Sequence, residues 1–304
     1  MRFAAYKSRR GPGLAIALPE GEFRGIDEND AMFPGRLEVL IAEGAQALQA
    51  AGERLTRGRR IDPHSVEWLP PISAPGKIIC VGLNYVDHSI ESGFVPPTYP
   101  TLFARFSTSL IGHGAAIRRP EASIQLDYEG EMVAIIGNAG RHIARDQALS
   151  HVAGYSIFND ASIRDFQTKS PQWTVGKNFD GTGSFGPVFV TADELPPGGK
   201  GLRIQTRLNG QIVQNASTSD MIFDVASLIS IISEAITLEP GDILVTGTPS
   251  GVGMARKPQL FMKHGDICEV ELEDVGILSN VVADDVIAAQ AVNQYPANSE
   301  RTMS

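Results

Sequence analysis

Leu126-Asp-Tyr-Glu-Gly-Glu-Met-Val-Ala-Ile-Ile-Gly137 leads three acidic residues straight into an apolar strand. Side chains of an extended chain alternate between faces, so Asp127, Glu129 and Glu131 point one way, with the two glutamates about 6.5 to 7 Å apart at Cα. Val133 and Ile135 continue that face, and their apolar character turns it toward an interior. Carboxylates driven inward cost several kcal/mol each unless a cation compensates, so the pattern asks for Mg²⁺, Mn²⁺ or a basic partner. Spacing alone leaves a second reading open, a frayed and solvated strand end. A third ligand would decide between them. Gly154-Tyr-Ser-Ile-Phe-Asn-Asp160 is another apolar strand ending in an acid, followed by Arg164 and Gln167 on a turn or short helix. Taken by itself, Asp160 reads as a helix cap.

Outward from these two strands the pattern stays strand-rich. Further strands are predicted at residues 1–7, 14–18, 77–83, 187–191, 202–208 and 243–246, and Asn209-Gly210 is a type I′ hairpin signal. A helix is predicted over residues 37–55, where Leu37, Leu40, Ile41, Leu48, Ala51 and Leu55 recur at helical spacing. A second is predicted over residues 222–236, opened by Ser219 or Asp220 as cap and closed by Glu-Pro-Gly-Asp242. From residue 281 onward strand character is lost. Strands dominate without the regular alternation with helices that marks a doubly wound sheet, so the fold class is β-rich α+β. The turn-rich stretch Leu69-Pro-Pro-Ile-Ser-Ala-Pro-Gly76 divides a small N-terminal α+β domain, residues 1–72, from a main domain, residues 73–290, with residues 291–304 as a loose tail.

A net charge of -9 and a pI near 5.2 exclude the cationic surface that nucleic acid or anionic lipid requires. Small anionic substrates stay open, because a bound metal or a few basic residues reverse the potential inside one pocket. The start, MRFAAYKSRRGPG, lacks the apolar stretch of a signal peptide. The most apolar helical stretch, residues 221–238, is broken by Asp224 and Glu234, so no bilayer span is expected. Cys80 and Cys268 each sit in an apolar run and read as buried free thiols, which fits a reducing cytoplasm.

His88-Ser-Ile-Glu91 places an imidazole and a carboxylate three residues apart on one helical face, where the acid can orient the ring and raise its basicity. The plain alternative is a solvated turn with an incidental ion pair. Gly181-Thr-Gly-Ser-Phe-Gly186 satisfies the dinucleotide pattern, but Pro187 and a strand follow it, not the helix N-terminus that a pyrophosphate needs. Gly247-Thr-Pro-Ser-Gly-Val-Gly253 lacks the Lys-Ser/Thr of a phosphate loop and reads as a tight turn bringing backbone amides and Thr248 near a ligand. His64, His113, His142, His151 and His264 lie outside every motif and receive no role.

Taken in order, Gly82-Leu-Asn-Tyr-Val-Asp-His88, Glu-x-Glu131, Asn-Asp160, Arg164-Asp-x-Gln167, Trp173-Thr-Val-Gly-Lys-Asn-Phe-Asp180 and Gly241-Asp-Ile-Leu-Val-Thr-Gly-Thr-Pro-Ser-Gly-Val-Gly253 resemble the fumarylacetoacetate hydrolase family. The resemblance covers residues 75–285. It implies a mixed β-sheet roll and assigns Glu129, Glu131 and Asp160 as ligands of one Mg²⁺ or Mn²⁺ per subunit. By the same likeness His88 and Glu91 form a water-activating dyad on a mobile lid, and Lys177 balances the carboxylates and stabilises developing negative charge. By that likeness too, Arg164, Gln167 and Thr248 contact substrate oxygens and Tyr85 lines the same pocket. Apart from the likeness, residues 94–106, with Tyr99, Phe103, Arg105 and Phe106, are expected to form part of the pocket wall, where Arg105 would meet a second substrate carboxylate. The implied activity is metal-dependent hydrolysis of a carbon–carbon bond in a 2,4-diketo acid of acylpyruvate type, in a homodimer. A decarboxylase or isomerase of a related keto or hydroxy-diene-dioic acid is the nearest alternative, and a non-catalytic metal-stabilised binding module is the alternative from another class.

Overall fold

A computed structural model describes residues 1–93 and 95–285. The first part holds strands β1 (Arg2–Ser8), β2 (Gly11–Ala17) and β3 (Phe23–Asp27), helices α1 (Leu37–Glu43) and α2 (Ala45–Leu55), and short strands β4 (Arg59–Ile61) and β5 (Glu67–Trp68). Next come β6 (Ile78–Gly82), α3 (Val86–Glu91), β7 (Thr101–Ala104), β8 (Leu110–Ile111), β9 (Ile117–Arg119), β10 (Leu126–Asp127) and β11 (Gly130–Ile136). They are followed by β12 (Val152–Asp160), β13 (Ser162–Ile163), α4 (Arg164–Gln167), α5 (Thr174–Lys177) and β14 (Gly183–Thr191). The chain closes with β15 (Arg203–Leu208), β16 (Gln211–Ser217), α6 (Val225–Ala235), β17 (Ile243–Val245), β18 (Ile267–Leu272) and β19 (Gly276–Asp284).

A 12-stranded sheet runs β4-β3-β2-β1-β14-β12-β11-β17-β6-β7, with β5 added to β1 and β8 to β14, and a 5-stranded sheet runs β16-β15-β18-β19-β9. Both are mixed: β17 pairs β6, β14 pairs β8 and β19 pairs β9 in parallel, while β11 with β12, β12 with β14 and β11 with β17 are antiparallel. This is the strand-rich α+β architecture expected. The N-terminal strands join the main sheet through β1 and β14, where Arg2 faces Val190, so the sheet continues across the boundary placed at residue 72.

At the centre lies β11, all of whose residues are buried. Strand alternation sends Met132, Ala134 and Ile136 into a core with Leu228, Ile229 and Ile232 of α6 and Ile204, Val270 and Leu272 of the smaller sheet. Val133 and Ile135 enter a second core, with Phe158, Phe185 and Leu40, Ile41 and Leu48 from α1 and α2. A strand covered on both faces keeps its ends fixed, and the N-terminal end of β11 carries the acidic residues.

Several local expectations need correction. The helix over residues 37–55 is two helices, because Gly44 adopts φ 96 and its N–H returns to Leu40 and Ile41. Asp224, not Ser219 or Asp220, caps α6, its side chain accepting from the Ser227 N–H. Asp220 closes a preceding 3-10 turn, accepting from the Ser217 N–H. Strand β19 runs on to Asp284, so residues 281–284 keep strand character. The tail at residues 291–304 lies outside the described residues. Asn209 and Gly210 carry φ 52 and 77, as a type I′ hairpin requires. Residues 183–186 already belong to a strand, and both cysteines are buried and free. Among the described residues no helix is long and apolar enough to cross a membrane.

Candidate active site

The site grows from the antiparallel pairing of β11 with β12. Gly130 stands opposite Asn159, and the Asp160 N–H donates to the Glu129 carbonyl at 2.8 Å, so acids from two strand ends meet. Glu129, Glu131 and Asp160 are all buried, and one carboxylate oxygen from each lies within 4.8 Å of the others. Asp127 does not join them. Strand β10 ends there and the chain turns before β11 begins, leaving Asp127 to accept from the N–H groups of Gly253 and Met254 and from Arg164 Nε, all at 2.8 to 2.9 Å.

Three cations stand against these acids. Lys177 Nζ, at the end of α5, bonds Glu129 Oε2 at 2.7 Å and Asp160 Oδ2 at 2.6 Å. Arg164, the first residue of α4, pairs its second nitrogen with Glu129 Oε1 at 2.6 Å. Arg105 pairs with the remaining oxygen of Asp160. Burial pushes Glu129 up, but Lys177 and Arg164 outweigh it and hold its carboxyl at about 2. Among the described residues Glu131 accepts only from the Gly247 N–H, and burial followed by Asp160 and Glu129 raises its carboxyl well above the usual range. An all-oxygen set of buried carboxylates, one of them without a cation, fits a hard divalent ion of the Mg²⁺ or Mn²⁺ kind.

Facing this cluster, α3 carries His88, whose Nδ1 lies 2.9 Å from Glu91 Oε1. An ionised carboxylate only accepts, so it fixes the proton on Nδ1 and leaves Nε2 as a free acceptor. His88, Glu129, Glu131, Arg164, Gln167, Lys177 and Thr248 line one narrow cavity of about 70 Å³, with Phe103, Trp173 and Met254 as its apolar wall. One terminal nitrogen of Arg164 is buried without a partner, and Gln167 Oε1 accepts from the other at 2.9 Å. The Thr248 hydroxyl donates to the Gly130 carbonyl at 3.0 Å and accepts from Gln214 Nε2 at 2.8 Å.

Two expected substrate contacts are not where the motifs suggested. Tyr85 is buried and absent from the cavity lining, its backbone is bridged to Met221, and among the described residues its hydroxyl has no partner. Arg105 is wholly enclosed behind the acids, its donors taken by Asp160, Ala161, Thr182 and Ser109, so it is not free to meet a substrate carboxylate. Of the expected wall, Phe103 lines the cavity while Tyr99 and Phe106 are exposed. Sequence reasoning overlooked Gln214, whose amide also accepts from the Gly130 N–H at 3.0 Å and donates to the Pro249 carbonyl at 2.8 Å. Nothing around Gln214 in the chain signals that it reaches from the smaller sheet to the acidic strand. Trp173 opens a recognised motif and Met254 adjoins one, but the sequence singles out neither as a site residue.

Residues 77–283 match the family described as Fumarylacetoacetate (FAA) hydrolase C-terminal. The chain belongs to that family. Among relatives of the fumarylacetoacetate hydrolase family, a mitochondrial oxaloacetate tautomerase of Xenopus laevis is 39% identical over 93% of this chain and 90% of its own length. A fumarylacetoacetate hydrolase from psychrophilic Exiguobacterium antarcticum superposes with a TM-score of 0.80 at 35% identity, covering 93% of this chain and 99% of that one. A 2-hydroxyhepta-2,4-diene-1,7-dioate isomerase from Mycobacterium marinum gives 0.73 at 30% identity, over 94% and 99%. Family members are thus named for hydrolysis, isomerisation and tautomerisation alike.

Proposed function

We propose that this protein is a keto–enol tautomerase of a small anionic 2-oxo acid of oxaloacetate type. The observation that carries the reading is a histidine with Nδ1 tied to Glu91, lining the same narrow cavity as Glu129, Glu131, Lys177 and Arg164, one nitrogen of which has no partner among the described residues. Relatives 39% and 40% identical from Xenopus laevis and Rattus norvegicus are named oxaloacetate tautomerases, which supports this reading over hydrolysis.

Glu129, Glu131 and Asp160 are the residues to hold Mg²⁺ or Mn²⁺, one per chain. Such an ion, when bound, polarises a 2-oxo group and acidifies the neighbouring C–H. His88 Nε2 takes the proton from that carbon, Glu91 stabilises the imidazolium that results, and protonation of the enolate oxygen, with the imidazolium proton passing to solvent, completes the enol. The Lys177 ammonium faces the oxygen on which charge develops. Arg164 and the Gln167 amide orient the carboxylate, a task suited to a guanidinium fork. Phe103, Trp173 and Met254 restrict water. A homodimer in a reducing compartment completes the proposal, and light scattering tests the dimer.

Hydrolysis of a 2,4-diketo acid is the second reading, favoured by the same free Nε2, which can deprotonate water as well as carbon, and by the likeness to the Exiguobacterium enzyme. The experiment is incubation with Mn²⁺ and, in turn, oxaloacetate, an acylpyruvate and a hydroxy-diene-dioate in D₂O. Accelerated enol decay with deuterium entering oxaloacetate, and no fragments from the diketo acid, is expected. Cleavage of the acylpyruvate into two acids would replace tautomerisation by hydrolysis, and inertness toward all three would overturn both.

A further inference from the structure

The acid of the dyad is held from outside the dyad. Both Glu91 oxygens lie 2.9 Å from the Gly251 nitrogen, and among the described residues His88 and Gly251 are the only hydrogen-bond partners of that carboxylate. Gly251 has φ +105, and a Cβ there would stand 2.1 Å from the Val213 carbonyl oxygen, so the residue is pressed against β16 with no space for a side chain. Its carbonyl is gripped in turn. The Tyr128 hydroxyl donates to it at 3.0 Å and Arg256 Nε at 3.1 Å. Arg256 Nε also reaches the Tyr128 oxygen at 3.0 Å, and its terminal nitrogen donates to the Val213 carbonyl at 2.6 Å.

Arg256 has no carboxylate partner among the described residues and is absent from the cavity lining. Its donors are spent on backbone and on one phenol, which is the pattern of a clamp. Helix α3 needs one: it is 6 residues long, only His88 and Ser89 in it are buried, and Val86 and Ile90 are exposed. So short a helix with so little apolar burial takes its seat from the few polar ties it makes.

We infer that Arg256 is a positioning residue which, with Tyr128, fixes the Gly251 N–H that seats Glu91 and so sets His88 over the cavity. The kinetic consequence rests on the proposed proton transfer; the seating of α3 does not. Arg256→Gln and Tyr128→Phe are to be compared with the wild type by hydrogen–deuterium exchange of residues 84–92 and 249–253, by Mn²⁺ titration calorimetry and by kcat and KM for oxaloacetate tautomerisation. Each variant is expected to exchange about tenfold faster in both segments, the worth of one hydrogen bond to a charged group. Mn²⁺ affinity should stay within about twofold, and kcat should fall about tenfold with KM held, because Arg164 and Gln167 are untouched. Arg256→Lys, which can regain one of the carbonyl contacts, should recover part of both losses.

Unchanged exchange over residues 84–92 in folded variants overturns the inference. A loss of Mn²⁺ affinity in step with kcat does so too, since Arg256 would then be supporting the acids. Tyr128→Phe removes one hydroxyl from a packed ring and carries the comparison if Arg256→Gln fails to fold. A wild type inert toward every keto acid refutes the proposed function, while the exchange arm still decides the seating.

Discussion

Replacing Lys177 with Met should separate what the ammonium does for stability from what it does for turnover. Its side chain is 1% exposed and bonds two buried carboxylates at 2.6 and 2.7 Å. Removing one partner of a buried ion pair costs about 3–5 kcal/mol, because the charge left behind is desolvated and unpaired. Here Arg164 stays on Glu129 and Arg105 on Asp160, so neither acid is left bare and the lower end, about 3 kcal/mol, applies. At about 2 °C per kcal/mol for a chain of this size, the melting temperature in EDTA should drop by about 6 °C. Mn²⁺ should then raise it more in Lys177→Met than in the wild type, since the variant has a surplus of negative charge at the acids and no ammonium competing for their oxygens. Turnover should stay low even with saturating Mn²⁺, the donor to the developing oxyanion being gone. Thermal denaturation followed by circular dichroism, with EDTA and with a Mn²⁺ series, reads all of this. Equal melting temperatures in EDTA, or a smaller rise with Mn²⁺ in the variant, would refute the claim that Lys177 offsets those two carboxylates.

His88→Ala should retain Mn²⁺ affinity by calorimetry and lose about 10²-fold or more in kcat, the usual worth of a positioned base; a fully active variant removes His88 from that role. Glu129→Ala and Asp160→Ala should lose Mn²⁺ binding and turnover together, and activity surviving without measurable Mn²⁺ binding would contradict the ligand assignment. Gly44→Ala, at φ 96 between two helices, should destabilise by about 1 kcal/mol or more in urea unfolding, and a neutral or stabilising effect would mean the break can close. Asp27 is pushed up by burial, but its bonds to Arg59, Tyr6 and Ser8 outweigh this and hold its carboxyl below the usual range. A depressed folded-state value means stability present above the ordinary carboxylate range and lost as pH falls through the folded value. Asp27→Asn should therefore melt lower than the wild type at pH 7, with the gap closing below about pH 4; a gap independent of pH would count against the pairing.

What could be read in advance was what lies close in the chain. Glu129 and Glu131 alternate on one strand, and His88 and Glu91 sit three apart on one turn, so their mutual placement follows from backbone period alone. Arg105 and Asp160 are 55 residues apart, and no period reports that one encloses the other. Tyr85 belongs to a recognised motif, yet it is buried and absent from the cavity lining. The break at Gly44 escaped because Leu37, Leu40 and Ile41 before it and Leu48, Ala51 and Leu55 after it stay buried, so the apolar spacing continues through a kink that only the backbone angle records. The union of β1 with β14 pairs strands far apart in the chain, Arg2 with Val190, which alternation cannot pair.

On the proposed function, the same long-range pairing gives the site its preference for an anion. Asp127, Glu129, Glu131 and Asp160 confront Arg105, Arg164 and Lys177, and among the described residues Glu131 alone of the four has no cation, so the imbalance of four acids against three cations falls on its raised carboxyl. A divalent cation held by the acids would more than offset that imbalance, and in a low-dielectric cavity a net positive charge is itself costly until an anion enters. A keto acid brings the compensating carboxylate, for which Arg164 has an unpaired nitrogen. On that reading, carboxylate recognition follows from how the acids are neutralised from three separate segments, and it would persist whichever bond to the keto carbon the dyad acts upon.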